Sequence, residues 1–80
     1  MAKVNVTPIF GRIKIVTGHP DYKVQEVQSF SDLKVRKVEV CPDGPGKWQI
    51  VDDFPDYRIQ MVDHFPDFKI QYVTEFPGPV

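Results

Sequence analysis

Eighty residues with 10 basic and 11 acidic side chains and a formal net charge of −1 allow one domain, residues 1–80, with no spare core for a large catalytic cleft. So even a charge balance argues against a nucleic-acid or anionic-membrane partner. Cys41 is the only cysteine, which rules out an internal disulfide and any CxxC metal or redox motif and fits a reducing compartment.

The chain opens on MAKVNVTPIF, which alternates apolar and polar residues and has no apolar run of signal-peptide length. No stretch approaches the ~18–20 apolar residues of a membrane span. The expectation is a soluble, cytoplasmic protein.

From Lys3 onwards one short unit repeats with a period of 11 residues. Lys3 opens a shortened copy, KVNVTPIFG. Arg12 opens RIKIVTGHPDY, Lys23 opens KVQEVQSFSDL, and Lys34 opens KVRKVEVCPDG, after which Pro45 and Gly46 are inserted. Lys47 opens KWQIVDDFPDY, Arg58 opens RIQMVDHFPDF, and Lys69 opens KIQYVTEF before the tail Gly78-Pro79-Val80. Positions in the unit are counted below from its basic residue.

Each unit reads as a strand. Position two is Val4, Ile13, Val24, Val35, Trp48, Ile59 and Ile70, and position five is Val in every copy but the first, which has Thr7. β-Branched and aromatic residues at these places favour a pleated strand, with polar residues alternating at positions one and three. Pro42, Pro55, Pro66 and Pro77 recur at a spacing no long helix tolerates. Pro followed by Asp, as in Pro20-Asp21, Pro55-Asp56 and Pro66-Asp67, with Ser31-Asp32 a variant, suits a tight turn. The aromatics flanking each turn are expected to fold back onto the core. Positions two and five have opposite parity, so a strong twist or a bulge is expected to turn both inward.

Strand direction follows from charge. A parallel, in-register stack would place seven cations, Lys3 to Lys69, in one column, and like charges side by side destabilise a sheet. Antiparallel neighbours would instead bring Asp52 to Arg58, Asp63 to Lys69 and Glu39 to Lys47. The expected fold is therefore all-β: up to seven short, twisted, mainly antiparallel strands with Pro-Asp turns. Cys41 to Gly46, the only long, glycine-rich connection, is expected to be an exposed loop.

The KxQxVD…FPD unit resembles the repeats of a family of small uncharacterised bacterial β proteins. The matching residues are Lys47, Trp48, Val51, Asp52 and Asp56, then Arg58, Ile59, Val62, Asp63 and Asp67, and the likeness spans residues 12–77. Similar members are associated with a knotted backbone of seven crossings. The resemblance implies no activity, and no functional residues come with it.

Candidate chemistry is sparse. Asp21, Asp32, Asp43, Asp56 and Asp67 would make a Ca²⁺ site if the turns converged, but turn geometry alone explains them and D-x-D-x-D-G spacing is missing. Asp63-His64, with Asp52-Asp53 and Thr74-Glu75 as counterparts, offers a divalent-metal pair; a site needs three or four ligands, and His19 and His64 are the only histidines. Cys41 takes a Phe position of the unit, which favours a buried, inert thiol over a nucleophile paired with His19. Trp48, Tyr57, Tyr22 and Phe68 sit at repeat positions that are apolar elsewhere, so they read as core; Tyr72 does not. No catalytic, cofactor or metal residue is assigned. The expected function is a non-enzymatic structural or protein-interaction module, with an unknown protein or a second copy as partner. The alternative is small-ligand or divalent-metal binding through the turn Asp residues or Asp63 and His64.

Overall fold

The computed structural model describes residues 4–80. Lys3, which opens the shortened first unit, lies outside the described residues. Six of the repeats supply one strand each: β1 (Gly11–Ile15), β2 (Tyr22–Glu26), β3 (Leu33–Lys37), β4 (Lys47–Ile50), β5 (Tyr57–Met61) and β6 (Phe68–Tyr72). A short β7 (Gly78–Pro79) follows in the tail. The described part of the first unit is not a strand.

The strands run parallel and close into a barrel in the order β4–β1–β5–β2–β6–β3, with β3 pairing back onto β4. Only β7 is antiparallel, on β3. The mainly antiparallel expectation is thus corrected. The charge argument behind it assumed that equivalent positions face each other across neighbouring strands. They do not, because each strand is displaced by two residues from the one before it. Arg12 lies beside Gln49, Lys23 beside Gln60, and Lys69 beside Gln25. Position one meets position three all round the barrel; position three is glutamine at four of the six seams, and two seams, Lys14 beside Arg58 and Arg36 beside Lys47, still place two cations together. The expected pairs of Asp52 with Arg58, Asp63 with Lys69 and Glu39 with Lys47 do not form; among the described residues the one ion pair joins Lys47 Nζ to Asp43 Oδ1 at 3.8 Å.

The same stagger explains how parallel strands manage with very short links. A parallel crossover ordinarily needs a dozen or more residues, because the chain must return along the whole strand. Here Ile15, ending β1, is level with Ile59 in the middle of β5, and Ile59 is level with Tyr22, starting β2. The chain therefore moves only sideways, over one strand, about 10 Å. Links 16–21, 27–32, 51–56 and 62–67 do this with six residues each. Link 38–46 is longer because β4 lies directly beside β3, so the chain must run back before entering it. That single short step lets β4, β5 and β6 settle into the gaps between β1, β2 and β3.

Position two points inward and forms one buried layer: Ile13, Val24, Val35, Trp48, Ile59 and Ile70 are all fully buried. Burial of each such side chain contributes roughly 1.5–3 kcal/mol. Leu33 and Phe68 add a layer towards the strand starts, with Tyr22 and Tyr57 half-buried beside them. Residues 4–10 cover that end of the barrel. Val6 and Ile9 are buried in the core, Trp48 Nε1 donates to the Ile9 carbonyl at 2.9 Å, and the Tyr57 hydroxyl donates to the Pro8 carbonyl at 3.3 Å. The position-five valines do not turn inward with position two. They open the links and are half-buried there.

Candidate functional site

Four of the five recurring turn aspartates each hold a strand; the fifth, Asp43, pairs with Lys47 at the end of its own link. Asp21 N–H donates to the Arg58 carbonyl at 2.8 Å, and Arg58 N–H donates to Asp21 Oδ2 at 2.8 Å. The same two-way clamp joins Asp32 to Lys69, Asp56 to Arg12 and Asp67 to Lys23. Position five completes it: Val16, Val27, Val51 and Val62 N–H groups donate to Ile59, Ile70, Ile13 and Val24 carbonyls. Each six-residue link therefore straddles one strand and bonds to its backbone on both sides. Outward-facing glutamines tie the arch down, as Gln60 Nε2 donates to the Thr17 carbonyl at 3.2 Å and Gln25 Nε2 to the Asp63 carbonyl at 3.1 Å. Gly11, with φ of +112°, leaves the space that the Asp56 carboxylate fills. These four carboxylates are spread round the barrel, one per link, and no group of three or more His, Cys, Asp or Glu residues able to hold a metal ion occurs among the described residues. Asp52, Asp53, Asp63, His64, Thr74 and Glu75 are exposed at link starts.

Position eight forms the apex of each link. His19, Phe30, Cys41, Phe54, Phe65 and Phe76 all have φ between 53° and 57°. This left-handed conformation costs a residue with a Cβ roughly 1–2 kcal/mol. The phenylalanines do not fold back onto the core, as the turn reading expected: Phe30, Phe54, Phe65 and Phe76 are 86–95% exposed. The left-handed turn drives the side chain away from the strand below it. Cys41 is exposed too, which corrects the buried thiol read from its Phe-equivalent position. Because successive links straddle different strands, the apices are distributed round the molecule, a disc of 30 × 29 × 19 Å. Replacing Phe54 by Gly should raise stability by about 0.5–1 kcal/mol, since the strain goes while little packing is lost. Thermal melting of Phe54→Gly checks this, and a lower melting temperature would contradict it.

Among the described residues, nothing covers the other end of the barrel. Position four has the inward parity of position two but stands at the strand ends. Round the barrel it reads Ile50, Ile15, Met61, Glu26, Tyr72, Lys37. Ile15, Ile50, Glu26 and Lys37 are exposed, while Met61 and Tyr72 are half-buried against the core. Lys37 Nζ lies 4.4 Å from the centre of the Tyr72 ring. Burial, with the Glu26 carboxylate adding to it, raises the Tyr72 phenol above its ordinary value, so it stays a neutral donor. Two depressions meet at this pair. One, of about 350 Å³, has Glu26, Asp63 and Met61 on its wall; the other, of about 380 Å³, has Arg36 and Thr74. The sequence carried a signal for this site that repeat reading passed over. Position four is where the units differ most in size and charge, while position two stays apolar throughout.

Trp48 and Phe68 are buried and Tyr22 packs on Tyr57 and Phe68, with ring centres 6.0 and 5.7 Å apart, so no surface array for base stacking forms from them. A second lap of strands interlaced with the first, with each six-residue link passing over a strand laid down at another stage, is the arrangement of a threaded backbone. The 7(1) septoil knot domain matches residues 6–80. The chain belongs to this family. The likeness to seven-crossing knotted β proteins drawn from the repeat is thereby established, over nearly the whole chain. No curated protein matches it. The clamps acquire a meaning in a septoil knot domain: knots are very rare among proteins, and each clamp holds a link on the strand it passes over. No described helix is long and apolar enough to cross a membrane.

Proposed function

We propose that this septoil knot domain is a non-enzymatic protein-interaction module that presents its apical phenylalanines to a partner protein. The observation that supports the reading is the set of Phe30, Phe54, Phe65 and Phe76, exposed in a strained backbone conformation that glycine would adopt at lower cost. Strain of this kind is retained where a surface is used, and aromatic side chains on a rigid frame are effective anchors because little freedom is lost on binding. The free, exposed thiol of Cys41 supports a reducing, cytoplasmic setting.

The test compares the wild-type chain with one in which all four phenylalanines are serine. Crosslinking in the source cell should trap a defined partner on the wild type and not on the variant, at equal melting temperature. Sedimentation of the purified chain distinguishes a second copy from another protein. Equal crosslinking of both forms would refute the rim as the interface.

A second reading, divalent-ion binding through the turn carboxylates or Asp63 and His64, is less supported because Asp21, Asp32, Asp56 and Asp67 already accept backbone N–H groups. Melting with EDTA, or with added Ca²⁺, Zn²⁺ or Mg²⁺, is expected to leave the transition within about 1 °C; a ligand present at a hundredfold its Kd would add ~2.7 kcal/mol.

A further inference from the structure

We infer that the open end of the barrel is a binding site for a small zwitterion with an apolar arm, of the size of an apolar α-amino acid or a dipeptide. The inference is independent of the phenylalanine rim. Three observations converge on it. The first is placement. One end of the barrel is covered by residues 4–10, with Ile9 in the core and bonded through its carbonyl to Trp48, and the other end has no such cover among the described residues. Barrel mouths and the carboxyl ends of parallel strands are the customary seats of small ligands, because side chains from several strands converge there.

The second observation is the division of the mouth. In barrel order, Ile50, Ile15 and Met61 form an apolar arc, and Glu26, Tyr72 and Lys37 a polar one. A solvated strand end needs no such segregation, and Ile15 and Ile50 stay 42% and 43% exposed as it stands. Met61 lies on the wall of one depression and Ile15 and Ile50 stand beyond it, so an apolar arm reaching past Met61 would remove their surface from water.

The third is the separation of opposite charges. Glu26 and Lys37 stand on strands β2 and β3, either side of β6, and do not pair with each other. Tyr72 stands between them, with Lys37 held over its ring. On the Glu26 side the depression adds the carboxylate of Asp63; on the Lys37 side it adds Arg36 and the hydroxyl of Thr74. A ligand ammonium suits the first side and a carboxylate the second, while the neutral Tyr72 hydroxyl is available between them. Neither a plain anion nor a plain cation uses both. The depressions, ≈350 and ≈380 Å³, lie at the lower end of small-ligand sites, which limits the ligand to about one or two amino-acid residues.

The experiment titrates the isotope-labelled full chain with L-leucine and, in parallel, glycyl-L-leucine, following backbone amide signals by NMR. Saturable shifts centred on Glu26, Lys37 and Tyr72 are expected with at least one, and the two arms separate amino acid from dipeptide. Isocaproate lacks the ammonium and isoamylamine the carboxylate; each is expected to bind about tenfold more weakly or worse. Glu26→Gln and Lys37→Met are expected to weaken the zwitterion about tenfold each; Glu26→Gln should leave the melting temperature unchanged, and Lys37→Met, which loses the contact with the Tyr72 ring, should lower it only slightly. Absence of saturable shifts with both zwitterions would overturn the inference. So would isocaproate binding as tightly as leucine, since the mouth would then be an anion site.

Discussion

Gly46→Ala is expected to lower stability by about 3 kcal/mol or more, a large share of the ~4–12 kcal/mol available to an 80-residue chain. Gly46 is buried at the point where β3 closes onto β4, and its carbonyl accepts the Arg36 N–H at 2.8 Å. A Cβ there would run into the Lys34 carbonyl oxygen and the Gly78 nitrogen, with Pro77 Cβ 2.9 Å away. Two of these are backbone, on the paired strands β3 and β7, so no side-chain rotation relieves the clash. The φ of +81° adds to the cost for any L-residue. Gly18→Ala is the control, because a Cβ there meets nothing within 4 Å. Urea unfolding of the two variants decides: equal midpoints would show that the closure is looser than described.

The double variant Asp56→Ala with Asp67→Ala is expected to lose about 2–4 kcal/mol. Each carboxylate accepts a strand N–H, from Arg12 at 2.9 Å and from Lys23 at 2.8 Å. A charged hydrogen bond contributes ~1.5–3 kcal/mol when shielded and less at the surface, so about 1–2 kcal/mol each is appropriate for exposed carboxylates. The clamps act on β1 and β2, which are not neighbours, so the losses should add. Asp→Asn at the same places keeps an acceptor oxygen and should lose half as much or less. Denaturant melts of the single and double variants test this. Stability unchanged in the double variant would mean that the carboxylates serve only turn geometry.

Much of this was legible in the residues. Ile13, Val24, Val35, Trp48, Ile59 and Ile70 recur at one unit position between polar neighbours, and they form the central core layer. The turn places were legible from Pro and Asp, but the reach of the Asp side chain to another strand was not, because that strand lies 37 or 44 residues away in sequence. The rim was misread for a different reason. Phe at position eight carries no local mark of a left-handed backbone, and a large apolar residue is ordinarily a core residue. The open mouth was in view as the irregular position four, Ile15, Glu26, Lys37, Ile50, Met61 and Tyr72, yet nothing local tells a strand end at a barrel mouth from one in open solvent.

The residues alone determined that this chain makes short strands of one pattern joined by prolyl turns, because both depend on side-chain shape and backbone preference within a few positions. Direction, closure and interlacing were decided only in three dimensions. They rest on a two-residue displacement between strands far apart in sequence, which keeps the cations of position one out of register and brings each strand end level with the next strand start. A single repeat is compatible with several such displacements; the one adopted buries every position-two side chain in one layer and lets an aspartate reach across to the strand beneath its link.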